Sequence, residues 1–210
     1  MESLPIIEKA SITLRDRLRE ETATIHQSLH RNTGLHRLTH LDCSRSLYIE
    51  VLSIFFHFYR GLEEYFAPVT RRFMHEAKPL SWLEKDFLIM NHITPPESLS
   101  FGANLTNNVM LPPCIETYIG YLYVKQGSTL GGQTISKHLK KSLSLEPGVT
   151  QFFFAGFGDQ TAHHWKAFLN YIAQHEASLD TDLVVKSAQT YFEILGQLFN
   201  QYFSPGDINE

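Results

Sequence analysis

Four glycines, at positions 120, 127, 131 and 132, fall in a stretch that otherwise reads as one long helix. They constrain the fold more than any other feature of the chain. Within Gly127-Ser128-Thr129-Leu130-Gly131-Gly132-Gln133, three glycines occupy six positions. Together they cost roughly 2–3 kcal/mol relative to alanine in a helix interior. A chain that keeps them needs something to approach that backbone closely. Gly120, Gly127 and Gly131 stand at offsets of seven and four, nearly on one face, with Gly132 beside them. Close packing of a second helix and a local kink both use such spacing. A flat ligand laid on the bare backbone is the third reading. A phosphate loop is not, since there is no GxxxxGK[ST] pattern and no preceding strand.

The rest of the chain sorts into helices. No alternating strand pattern persists, and glycines and prolines divide the 210 residues into amphipathic segments. The first is expected over 11–29, with Leu14, Leu18, Ile25 and Leu29 on one stripe. The second is expected over 44–66, apolar around most of its circumference and therefore largely buried. Shorter helices are expected over 70–76 and 81–91, and a Pro95-Pro96 loop over 94–99. Pro112 or Pro113 is expected to open the glycine helix, which runs to about 143. A turn at Pro147-Gly148, an aromatic-glycine loop over 152–158, and helices over 160–176 and 181–202 complete the chain. The expected architecture is all-α, a single domain over residues 1–210.

Composition agrees and narrows the function. Hydrophobic residues make up 43%, including 15 Phe and 9 Tyr, enough for one full core. A net charge of −4 argues against nucleic acid as a partner. No apolar run approaches the length of a membrane span, and the first residues lack the apolar centre of a signal peptide. Cys43 and Cys114 lie far apart, outside any CxxC, which argues against a disulfide framework or zinc site. The sequence reads as that of a cytoplasmic protein without a membrane partner.

Arg19 and His26 are the other candidates. Seven residues put them about 20° short of two full turns, on one face and about 10 Å apart along the axis. That distance matches the span from a heme iron to its propionate edge, so one helix can ligate the metal and pair a carboxylate. An exposed arginine and a partly buried histidine have the same spacing, and spacing alone favours that plainer reading. His26 and His30 also form HxxxH, but without the glutamate of a metalloprotease.

Taken in order, these segments resemble one family. Leu18-Arg19-Glu20-Glu21-Thr22-Ala23-Thr24-Ile25-His26 resembles the proximal helix of the biliverdin-producing heme oxygenases. Gly127 to Gln133 resembles their distal helix, especially in bacterial members. Phe152-Phe153, Gly156 to Gly158 and Trp165-Lys166-Ala167-Phe168-Leu169 resemble the later loop and helix. The resemblance implies a helical bundle holding heme b between a proximal and a glycine-rich distal helix. It makes His26 the iron ligand, with Arg19 and Lys166 near the propionates. Gly127, Gly131 and Gly132 form the distal surface, and Ser128 stands where animal members carry an aspartate. Lys166 stands where arginine often occurs, keeping the charge without the bidentate fork.

The activity so implied is cleavage of heme by O2 and electrons to biliverdin, CO and Fe²⁺, with Gly127, Ser128 and Gly131 as the catalytic surface. An ordered water near Ser128 would serve the bound oxygen. No GxGxxG lies in a βαβ unit, so electrons come from an external donor: a ferredoxin, a flavodoxin-like protein or a reductase. Lys137, Lys140 and Lys141 offer it a basic face. Two rivals remain. One is a non-catalytic heme carrier or sensor on the same fold, favoured by the missing aspartate. The other is a non-heme metal oxidase, for which Glu63, His57 and His163 form no convincing set.

Overall fold

The computed structural model describes residues 12–31, 34–40, 43–69, 73–91 and 111–203. Among the described residues six α-helices carry the fold: α1 (Leu14–Arg31), α2 (Arg45–Tyr65), α3 (Pro79–Ile89), α4 (Ile115–Leu143), α5 (Thr161–His175) and α6 (Thr181–Tyr202). Short 3₁₀ turns lie at Gly34–Thr39, Gly158–Gln160 and Glu176–Ser178. Among the described residues the only extended pairing is an isolated bridge between Pro147 and Gln151. The all-α expectation holds.

Local chemistry sets the helix ends. Ser44 caps α2 by accepting from the Leu47 amide at 3.1 Å, and Asp180 caps α6 through the Leu183 amide at 3.1 Å. Thr13 accepts from the Asp16 amide at 3.2 Å, and α1 begins at Leu14, the first residue of its apolar stripe, rather than at the expected 11. The prolines do not open α4. Cys114 is its cap, tied through its amide to Thr117 at 3.1 Å, and Pro112 and Pro113 lie outside the helix. Residues 73–76, expected to end a short helix, are a turn flanked by irregular chain. The expected loop over 94–99 lies outside the described residues.

α2 is largely buried. Tyr48, Val51, Leu52, Ile54, Phe58, Tyr59 and Leu62 are wholly buried, as its all-round apolar sequence requires. α6 packs chiefly on α4 and α1. Its crossing with α4 is possible because of Gly120, where a Cβ would stand 1.8 Å from Ser187 Oγ and 2.7 Å from the Val184 carbonyl. Arg17 ties the start of α1 to that of α6, donating to Thr181 at 3.0 Å and pairing with Asp182 at 2.8 Å.

One buried carboxylate organises the loop between α4 and α5. Asp86 of α3 is fully buried and accepts from the Phe152 and Phe153 amides at 2.7 and 2.8 Å. The chain then turns through Gly156 and Gly158, whose φ of +54° and +55° favours glycine. Gln133 of α4 holds the same turn, donating to the Ala155 carbonyl at 2.9 Å. Burial pushes the Asp86 carboxyl up to about 6, against the opposing pull of the two amides. The folded chain therefore holds this proton more tightly than the unfolded chain. The group's contribution to stability falls as pH rises from about 4 to about 6, then levels off. Asp86→Asn should remove that slope from urea-unfolding free energies. Asp86→Ala, which orphans two buried amides, should cost about 2 kcal/mol at pH 7.

Candidate functional site

Between α1 and α4 lies a cavity of about 700 Å³. Each wall is built from a different kind of surface. α1 contributes Arg19, His26 and His30, and α4 faces it with Gly127, Ser128, Gly131 and Gly132. The remaining lining is largely aromatic and aliphatic: Phe55 of α2, Phe153 and Phe154 of the Asp86-held loop, Trp165 of α5, and Phe192 and Leu195 of α6.

The four glycines of α4 divide into two kinds. Gly120 and Gly132 serve packing: a Cβ on Gly132 would meet the Phe154 carbonyl at 2.9 Å. Gly127 and Gly131 face the cavity. A Cβ on Gly131 would meet nothing within 4 Å, and one on Gly127 only the far edge of Trp165 at 3.9 Å. Gly120 shares the face of Gly127 but sits about 10 Å down the axis, where α6 crosses. Helix packing and bare backbone facing a cavity are thus both present, at different heights on one helix.

On the α1 side, the His26 ring is open to the cavity and meets the rings of His30 and Phe192 edge-on at 4.7 and 5.5 Å. Burial, with a smaller contribution from the charge of His30, holds the His26 pKa below its usual value. The imidazole is therefore neutral at pH 7, with a lone pair free for a metal. Arg19, also on the cavity wall, is 69% exposed and has acidic neighbours only at 3.5 Å (Glu20) and 3.8 Å (Asp16), leaving its guanidinium free to take a ligand carboxylate. Lys166 is exposed on α5 and does not line the cavity; its neighbour Trp165 does.

Ser128 does what a mid-helix serine commonly does, donating its proton to the Lys125 carbonyl at 2.8 Å. Its Oγ is also 2.9 Å from the Tyr59 hydroxyl. The serine proton is committed, so Tyr59 is the donor of that bond. Burial raises the Tyr59 pKa far above its usual value, so the phenol keeps its proton.

Sequence reasoning passed over Tyr59, Lys125 and Gln126. A signal for the first two existed. Tyr118, Tyr121, Lys125 and Ser128 recur at spacings of three, four and three, a polar stripe on one flank of α4, and Tyr59 and Glu63 recur at four on α2. The non-heme alternative loses its acidic candidate, since Glu63 accepts from Lys125 and Tyr121. Among the described residues no group of three or more His, Cys, Asp or Glu side chains is placed to hold a metal ion.

The residues fit a flat iron macrocycle bearing carboxylates. Two imidazoles that burial holds below their usual pKa, His26 and His30, stand on the α1 wall, a side-chain-free backbone on the α4 wall, apolar rings complete the lining, and a cation, Arg19, sits seven residues from His26. Comparison with known proteins gives the family and the fold. A heme oxygenase family profile matches residues 12–201, and the chain belongs to that family. No curated protein sequence matches it. The NO- and CO-bound heme oxygenase from Neisseria meningitidis shares its fold at a TM-score of 0.69 and 18% identity, over 91% of this chain and 92% of that one. Heme oxygenase-1 from the cyanobacterium Synechocystis, solved in complex with heme, superposes at 0.64 and 18% identity, over 94% of each chain. No helix among the described residues is long and apolar enough to cross a membrane.

The division of glycines is testable. Gly131→Ala should leave thermal stability unchanged or raised by up to about 1 kcal/mol, while weakening hemin binding measured by Soret titration. Gly132→Ala should lower stability first, because the Phe154 backbone cannot yield as a side chain can.

Proposed function

We propose that this protein is a biliverdin-producing heme oxygenase, using heme b and O2 with electrons from an external donor. The observation that carries the reading is the opposition of His26 to the bare backbone of Gly127 and Gly131 across one cavity. Bound there, heme would be both cofactor and substrate, supplying the iron at which O2 is activated and the ring that is cleaved to biliverdin, CO and Fe²⁺.

The chain's own residues bind, orient and exclude. His26 would hold the heme iron, keeping the macrocycle against α1. Gly127 and Gly131 leave room on the other side for a small diatomic molecule, and the nearby backbone limits how it tilts. Phe55, Phe153, Phe154 and Phe192 keep bulk water from the ring. Arg19 pairs a propionate at the cavity edge and so sets the in-plane rotation that decides which ring carbon reacts. Lys166, on the exposed face of α5 beyond Trp165, assists at the solvent edge with a point charge. Ser128 offers its remaining lone pair toward the cavity, where an ordered water would sit. Lys137, Lys140 and Lys141 are positioned on the exposed part of α4 for an acidic donor protein, with Lys140 paired to Glu146 at 2.9 Å.

The test is to mix the protein with hemin, then add ascorbate or a ferredoxin system in air. Loss of the Soret band, a broad rise in the red, and iron trapped by a chelator are expected. Stable binding without loss would instead mark a carrier or sensor. His26→Ala should abolish the native ferric spectrum, and added imidazole should restore it. Lys166→Ala should change the biliverdin isomer ratio or lower hemin affinity severalfold; an unchanged chromatogram and affinity would remove Lys166 from the site.

A further inference from the structure

The HxxxH pair of α1 brings two imidazoles, His26 and His30, to the wall of one cavity. The proposed activity needs only the first. The two rings meet edge-on with centroids 4.7 Å apart, and Phe192 of α6 flanks His26. Among the described residues neither ring makes a hydrogen bond. A packing role does not account for the second imidazole. Ring nitrogens without a protein partner carry a desolvation cost in a largely apolar lining, and a phenyl or isobutyl group would support His26 as well. Imidazole is above all a metal ligand.

The cavity has the length for an iron macrocycle to take either ring. Its lining on α1 runs from Arg19 to Arg31, about 18 Å along the axis. Arg19 to His26 takes up only about 10 Å of that, and His30 stands about 6 Å further on. Gly127 and Gly131 are also four residues apart, so bare backbone runs along the α4 wall for the same distance as the two imidazoles. Both rings come from one helix. They therefore compete for one axial position on one face of the macrocycle, rather than holding its two faces. The two positions are unequal. From His30, Arg19 lies about 16 Å back along the axis, too far for the propionate that it pairs when the iron is on His26.

We propose that His30 is a second iron ligand of the cavity, a transfer seat through which hemin reaches His26. In the transfer the bond from iron to the His30 nitrogen breaks and a bond to the His26 nitrogen forms on the same face. No electron or proton moves. The macrocycle travels about one turn along α1, and Arg19 then takes the propionate and keeps the ring in its final place. The His30 seat lacks that ion pair, so it is the weaker of the two and is occupied in passing. His30 touches the heme iron but has no part in the ring-opening chemistry.

This role rests on the heme reading, and the test separates the two. Hemin uptake by the whole protein is followed by stopped-flow Soret absorbance, where two phases are expected, capture and then transfer. His30→Phe keeps a ring against His26 and should reach the wild-type ferric spectrum, but in one phase and severalfold more slowly. The second readout needs neither turnover nor O2. His26→Ala is loaded with hemin and reduced under argon, and the iron–imidazole stretching band is recorded by resonance Raman. The band should persist at a shifted frequency and vanish in the His26→Ala/His30→Ala double variant. A hemin-loaded His26→Ala protein without the band, or a band that survives in the double variant, would overturn the seat. Wild-type loading kinetics in His30→Phe would overturn it too. A wild-type protein that takes up no hemin would overturn the heme reading itself.

Discussion

The close approach of backbone to α4 is the constraint on which the rest of the structure depends. α6 can cross α4 only because position 120 has no side chain, and the aromatic loop can close on α4 only because position 132 has none. With those two contacts made, α4 is fixed against both its neighbours. The bare positions between them, 127 and 131, then face a cavity rather than a packing partner. The intrinsic cost of glycine in a helix is offset twice by packing that a Cβ would forbid. The other two positions make no such contact, so packing does not offset their cost.

Polarity is distributed with the same economy. The α1 side of the cavity offers a neutral imidazole and, seven residues away, a cation open to solvent. The α4 side has no charge on its glycine face. Its charged groups are turned to the flank, where Lys125 meets two carboxylates, and only the Tyr59–Ser128 pair reaches the glycines. Because Ser128 has given its proton to the Lys125 carbonyl, the hydroxyl pair has a fixed sense, with Tyr59 donating and Ser128 accepting.

Much of this was legible in the sequence, and the reasons it was or was not are local. The last helix was read with its true limits, because Asp180 is a strong cap and the apolar spacing never lapses. The start of α4 was misplaced because proline is permitted at a first helical position, and nothing in Pro112-Pro113 alone says that Cys114 and Thr117 make the cap instead. The site candidates on α1 and α4 came from spacing and from family resemblance, and the structure brings all but Lys166 to one cavity. The glycines could not be divided by sequence, since 120 and 127 share a face and only the path of α6 tells them apart. Lys125 and Tyr59 went unnoticed because a lysine in a helix reads as solvated surface and a tyrosine as core. Their meaning appears only when the flanks of α2 and α4 are laid together.

The segment before α3 and the loop after α4 belong to one mechanical circuit. The Gln126 carboxamide clasps that segment, accepting from the Ala77 amide at 2.6 Å and donating to the His75 carbonyl at 3.0 Å. The chain passes directly from there into α3, α3 holds the loop through Asp86, and the loop returns to α4 at Gly132 and Gln133. The circuit starts and ends on one helix and carries Ala77, Pro79, Trp82, Phe153 and Phe154 into the cavity wall. A closed hoop of this kind has few independent ways to deform. Each clasp is backed by the next, so the wall is held as one piece rather than residue by residue. A broad, flat molecule in the cavity is therefore framed on this side by a single continuous arc, anchored at both ends on α4.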